Sequence, residues 1–138
     1  MNVVAVQAIV DAIRILKQRG KVSARLVAAA SGTIFEGVDK SPQTEESEIS
    51  PATPYAKSKA EVIAMLKQAR QDEGLFTVSA ILYNHESPLR GENFVTRKIT
   101  MAVARIAAGL QDQLELGDIE VARDWGWAPD FVTGMRLM

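Results

Sequence analysis

The sequence predicts an α/β domain, an incomplete part of a parallel sheet with crossover helices, and three observations carry that reading. Two runs of strand length, Arg25 to Ala30 and Phe76 to Leu82, are apolar without clean alternation, as in strands buried on both faces of a sheet. Helical periodicities precede, separate and follow them, in the order helix–strand–loop–helix–strand–loop–helix. Both strands run out into long loops at their carboxyl ends, where parallel sheets gather their chemistry.

Each element has its own signal. From Asn2 to about Arg19, Val3, Val6, Ile9, Val10, Ile13 and Leu16 recur at three- and four-residue steps, one stripe of a helix. Gly20 stops it, and Lys17 and Arg19 suit the negative end of its dipole. A short linker leads to the first strand, which ends at Ser31-Gly32-Thr33. Residues 36–54 are polar, carry Pro42, Pro51 and Pro54 and the acidic Glu45, Glu46 and Glu48, and read as a loop. Proline is tolerated in the first turn of a helix, so a second helix is expected from Pro54 or Tyr55 to about Asp72, closed by Gly74. The β-branched run Phe76 to Leu82 is the second strand. Tyr83 to Asn93, with Pro88 and Gly91, reads as loop, and Phe94 to about Leu110 as a third helix with Val95, Ile99, Val103, Ile106 and Leu110 on one stripe. Gln113 to Leu116 is expected as a short strand, and a last helix from about Pro129.

Composition narrows the classes of function. Sixteen basic against seventeen acidic side chains leave a formal charge of −1, without the basic surplus typical of a nucleic-acid binder. With no cysteine and one histidine there is no disulfide framework, no thiolate or multi-histidine metal site and no cysteine nucleophile. No run approaches a membrane span, and the first residues, with Asp11 among them, form an amphipathic helix rather than a signal peptide. A cytoplasmic protein is expected, assembling as a homo-oligomer, since an open sheet edge is liable to pair with another chain.

Within Tyr55-Ala-Lys-Ser-Lys59, Tyr55 and Lys59 stand four apart on one helical face. An ammonium beside a phenol favours the phenolate, which makes tyrosine a usable acid and base near neutrality. The same spacing also occurs on ordinary solvated helix faces. Ser31, at the tip of the preceding strand, adds a hydroxyl able to hydrogen-bond a substrate carbonyl or alcohol.

Ser31, Tyr55 and Lys59 together resemble the catalytic triad of short-chain dehydrogenases/reductases, and Pro54-Tyr-Ala-Lys-Ser-Lys59 resembles the extended, nucleotide-sugar-modifying branch with its Rossmann-type sheet. The stretch Leu82-Tyr-Asn-His-Glu-Ser-Pro-Leu-Arg-Gly-Glu-Asn-Phe-Val-Thr-Arg-Lys-Ile99 is similar to a signature of GDP-mannose 4,6-dehydratases. Arg123-Asp-Trp-Gly126 followed by Asp130-Phe-Val132 resembles a second. The resemblance covers essentially the whole chain, as the middle portion of such an enzyme. It implies NADP as cofactor and GDP-mannose or a related nucleotide sugar as substrate. Hydride leaves C4 of the hexose, water is eliminated across C5 and C6, and the hydride returns to C6 to give GDP-4-dehydro-6-deoxy-D-mannose.

By position the resemblance makes Tyr55 the base at the C4 hydroxyl and Lys59 its partner, which also holds the nicotinamide ribose. Ser31 would hydrogen-bond the C4 oxygen. His85 and Arg90 match cofactor contacts, while Asn84, Arg97, Lys98 and Arg123 match contacts to the nucleotide sugar and its diphosphate. Arginine suits phosphate because its planar fork binds two oxygens. Read alone, His85 is also an ordinary loop hydrogen-bonder, Arg97 and Lys98 ordinary surface charges, and Trp125 and Trp127 receive no role.

The sequence departs from the pattern twice. The glutamate that removes the C5 proton falls at the catalytic position Thr33, and a threonine hydroxyl is a very poor proton acceptor at pH 7. Dehydration is therefore expected to be slowed or lost unless Glu36 or another acid reaches C5. No Gly-x-Gly-x-x-Gly or Gly-x-x-Gly-x-x-Gly occurs, so the phosphate-cradling turn is missing from these residues and tight NADP binding by them alone is not expected. Two alternatives stand beside the dehydratase reading: an epimerase or 4-keto reductase on the same scaffold, and a non-catalytic remnant.

Overall fold

A computed structural model describes residues 2–20, 24–39 and 41–138. The linker expected after Gly20 falls at 21–23, outside the described residues. The chain divides into two compact units, residues 1–83 with 135–138, and residues 84–134.

The first unit is a helix followed by a β–α–β crossover. Helix α1 spans Asn2–Gln18, strand β1 Arg25–Ala29, helix α2 Pro54–Glu73 and strand β2 Phe76–Ala80. Strands β1 and β2 pair in parallel, with Val27 opposite Val78 and Ala29 opposite Ala80. A single turn of 3-10 helix, Gly32–Phe35, follows β1. Helix α2 begins as its sequence dictates: the Thr53 hydroxyl accepts from the Ala56 amide, and Pro54 supplies a preset first turn. It ends at Gly74, whose φ of 58° is the left-handed conformation glycine adopts without strain.

The core is built where α1 meets α2 and α2 meets the sheet: Val10, Ile13, Ala28, Val62, Leu66, Ala69 and Leu75 form one buried cluster. Thr77 is fully buried among them, and its hydroxyl is satisfied by the Leu66 carbonyl at 2.7 Å. The strands are less buried than expected: Arg25, Ala29 and Phe76 are exposed, and Leu26, Val27, Val78 and Ser79 half-buried. Each has one neighbouring strand in this sheet, so apolarity alone over-predicted their cover. On α1 the buried stripe is narrower than the sequence suggests, with Ile9 exposed beside Val10 and Ile13.

In the second unit, strand β3 (Asn84–Glu86) pairs in parallel with β4 (Trp125–Trp127), His85 opposite Gly126. Helix α3 spans Val95–Ala107, and α4, Ala128–Leu137, begins in this unit and ends in residues that belong to the first. Two expectations are corrected here. The stretch read as loop from Tyr83 contains β3, a strand whose polar Asn-His-Glu sequence carries no strand propensity and which exists because β4 supplies its hydrogen bonds. Gln113 to Leu116 is not a strand; the strand lies ten residues further on, at the two tryptophans. Much of the α3 stripe (Val95, Val103, Ile106) and Leu110 beyond the helix are exposed, while Ala102 is the buried residue of the helix.

Candidate active site

The first unit brings the serine, tyrosine and lysine elements to the carboxyl end of β1. Lys59 projects from the second turn of α2, and its ammonium donates to the Ala29 carbonyl at 2.8 Å, tying the helix to the last residue of the strand. The same nitrogen lies 5.6 Å from the centre of the Tyr55 ring. Tyr55 is 51% exposed, so its phenol is open to a ligand. Its backbone carbonyl accepts from the Ser58 hydroxyl at 2.7 Å.

Ser31 stands two residues beyond Ala29 and caps the 3-10 turn. Its oxygen accepts from the Thr33 amide at 3.3 Å and from the Thr33 hydroxyl at 3.0 Å. With both lone pairs engaged, the Ser31 proton is left as a donor. The Thr33 hydroxyl is thus turned onto Ser31. Gly32, between them, is fixed by its amide bond to Leu82 and by the Tyr83 ring, which lies where a side chain would begin.

Sequence reasoning named Glu36 but gave no role to Gly32, Tyr83 or the rest of the 34–37 segment. The Gly37 amide donates to the Ser50 carbonyl at 3.0 Å, and the Ser50 amide to that of Ile34 at 2.8 Å, lacing the 3-10 turn to the approach to α2. Thr53, the cap of α2, also donates its hydroxyl toward Glu36 Oε2 at 3.4 Å. A cavity of about 80 Å³ lies beneath this loop, lined by Phe35, Gln43, Thr44, Glu45, Ile81 and Tyr83, with the Tyr83 phenol donating to Gln43 at 2.6 Å.

The remaining sequence-predicted residues belong to the second unit. His85 lies on β3, its ring 5.5 Å from that of Phe131. Asn84 begins the strand, with its amide bound to the Asp124 carbonyl. Arg90 is held by two contacts: its guanidinium stacks 3.5 Å over the Phe94 ring and Glu86 pairs with its Nε at 3.2 Å, Glu86 itself being fixed by the Thr96 hydroxyl. A guanidinium so placed is preorganised for an anion. This Glu86–Thr96 support was missed because its residues meet only once α3 follows β3. Arg97 and Lys98 occupy the first turn of α3, Lys98 exposed, and exposed Arg123 donates to the Ala122 carbonyl. Among the described residues no cluster of His, Asp or Glu is arranged to hold a metal ion, and no helix is long and apolar enough to cross a membrane.

Solved structures share this architecture. RMD from Pseudomonas aeruginosa, solved with NADPH, superposes on 91% of the chain with a TM-score of 0.77 at 32% identity, the match covering 43% of RMD. A dTDP-glucose 4,6-dehydratase from Bacillus anthracis, solved with NAD, covers 99% of the chain with a TM-score of 0.80 at 20% identity and 41% of its own length. The class is therefore a Rossmann-type short-chain dehydrogenase/reductase fold, of which this chain holds a part. The family is narrower. The GDP-mannose 4,6 dehydratase family model matches residues 1–138. GDP-mannose 4,6-dehydratase sdnI of Sordaria araneosa is 40% identical over all 138 residues, and GDP-mannose 4,6 dehydratase 2 of Arabidopsis thaliana 49% identical over 110. The human GDP-mannose 4,6 dehydratase is 40% identical over 116. The chain belongs to the GDP-mannose 4,6 dehydratase family, and it spans about a quarter to a third of these relatives, 25% to 31% of their length.

Proposed function

We propose that these 138 residues form the catalytic segment of a GDP-mannose 4,6-dehydratase, a lyase acting on a nucleotide sugar with NADP. The observation that carries the reading is the tethering of Lys59 to the last residue of β1, two residues before Ser31, with the centre of the Tyr55 ring 5.6 Å from the same ammonium. Tyr55 takes the proton of the C4 hydroxyl, Lys59 supplies positive charge beside the phenol, and Ser31 donates a hydrogen bond to the C4 oxygen as it becomes a carbonyl. A nicotinamide cofactor, its ribose held by Tyr55 and Lys59, would supply the hydride chemistry between C4 and C6.

The residues fit the cofactor's two ends unequally. Tyr55 and Lys59 suit the nicotinamide ribose, and the stacked, carboxylate-pinned Arg90, with His85, suits the phosphate-bearing part. No glycine-rich turn for the pyrophosphate occurs among the 138 residues. Asn84, Arg97, Lys98 and Arg123 supply donors and positive charge for the GDP moiety. A cytoplasmic homo-oligomer is the expected form. The family's dehydratase names favour this reading over an epimerase or reductase.

The test is incubation with GDP-mannose and excess NADP⁺, followed by NMR of the sugar. A 4-keto-6-deoxy product that disappears in Tyr55→Phe supports the reading. Turnover that survives Tyr55→Phe refutes it, and no product from either protein favours the non-catalytic remnant.

A further inference from the structure

Eliminating water across C5 and C6 requires removal of the C5 proton, and the hydroxyl next to Ser31 cannot take it. Thr33 is neutral, and its hydroxyl donates to Ser31 at 3.0 Å. We infer that Glu36 is the base and proton carrier of this step, an inference that rests on the dehydratase reading and deepens it. Glu36 closes the 3-10 turn that Ser31 opens. Its side chain is exposed, and its Oε2 lies 3.4 Å from the hydroxyl of Thr53, the cap two residues before Tyr55.

The frame around Glu36 holds it there. The Glu36 amide is bound to the Thr33 carbonyl, and Gly37, next in line, is bound to Ser50. A Cβ on Gly37 would come within 2.3 Å of Ser50 Oγ, so the two segments run in direct contact. Two other carboxylates of this unit are engaged or placed elsewhere. Glu73 is paired with Arg14 at the far end of α2, and Glu45 lines the cavity beneath the loop.

The step balances without a further reagent. With C4 at the ketone level, the C5 hydrogen is α to a carbonyl. The Glu36 carboxylate takes that proton, the electrons of the C5–H bond form the C5=C6 bond, and the C6–O bond breaks. The departing hydroxide takes the proton back from Glu36 and leaves as water, restoring the carboxylate.

The C5 hydrogen of GDP-4-dehydro-6-deoxy-D-mannose is acidic for the same reason, so the test needs no hydride transfer. The chain is mixed with this sugar nucleotide in D₂O, deuterium entry at C5 is followed by NMR, and affinity is measured in parallel by calorimetry. The wild-type chain is expected to accelerate exchange over buffer. Glu36→Gln is expected to slow it on the order of 10²-fold or more, as for loss of a general base, with affinity unchanged. Adding Thr33→Glu to Glu36→Gln should restore exchange, a rescue that a merely structural role of Glu36 would not give. Exchange unaltered in Glu36→Gln, or a wild-type chain that binds the sugar without exchanging C5, overturns Glu36 as the base while leaving the dehydratase reading standing. A chain that does not bind the nucleotide sugar at all overturns the dehydratase reading, and the assignment of Glu36 with it.

Discussion

Replacing Gly32 by alanine tests whether the 3-10 turn is held by the Tyr83 ring. The new methyl would sit 2.6, 2.8 and 2.9 Å from three ring carbons, well inside contact distance, so the ring must move. Overpacking of this kind costs about 1–3 kcal/mol. Moving the ring also endangers the 2.6 Å bond from its phenol to Gln43, worth about 0.5–1.5 kcal/mol. Stiffening of the unfolded chain offsets about 0.4–1 kcal/mol. The expected net loss is about 2 kcal/mol, read as a lower urea midpoint at unchanged slope. The mechanism is separable from a general intolerance of alanine. In a Tyr83→Ala background the same substitution should be neutral or stabilising by up to about 1 kcal/mol, a coupling visible in a double-mutant cycle. Gly117→Ala, with nothing near its added methyl, should be neutral. A Gly32→Ala cost that persists undiminished without the Tyr83 ring would refute the reasoning.

Four further outcomes follow from the same structure. Leu66→Ala removes a fully buried side chain from the α1–α2–sheet core and should cost about 2–5 kcal/mol, measured by urea unfolding. Thr53→Ala removes the cap of α2 and should cost about 0.5–2 kcal/mol by the same measurement, whereas Thr53→Ser should leave stability close to wild type. The bidentate Arg14 guanidinium holds the Glu73 carboxyl below its ordinary value. A lowered folded-state value means stability present above the unfolded carboxyl range and lost as pH falls through the folded one, so unfolding midpoints should drop on acidification and drop less in Glu73→Gln. The 138 residues should bind NADP only weakly, because they hold no glycine-rich pyrophosphate turn; a micromolar Kd by calorimetry would contradict this.

What was legible in the sequence was local. The Pro54 start and Gly74 stop of α2 and the strand character of 25–29 and 76–80 are each fixed by residues within a turn of one another, and all were placed within a residue or two. The second sheet was not legible, because Asn84–Glu86 becomes a strand only when Trp125–Trp127, about forty residues later, offers it hydrogen bonds. Short polar strands owe their existence to a partner rather than to propensity. The catalytic reading divides along the same line. Tyr55 and Lys59 are one helical turn apart, so their shared face followed from spacing alone, while the clamp of Lys59 onto Ala29 needed the crossover to bring residues thirty apart together. Glu36 is the sharpest case. Read along the chain, the carboxylate expected at position 33 is gone, and Glu36 is a nearby acid whose reach the sequence leaves open. Read through the fold, the lacing of 34–37 to Ser50 carries a carboxylate three residues later to the cap of the helix that bears Tyr55. Whether a proton acceptor is lost or displaced is therefore a question about the path of the loop, and the chemistry expected of this chain turns on it.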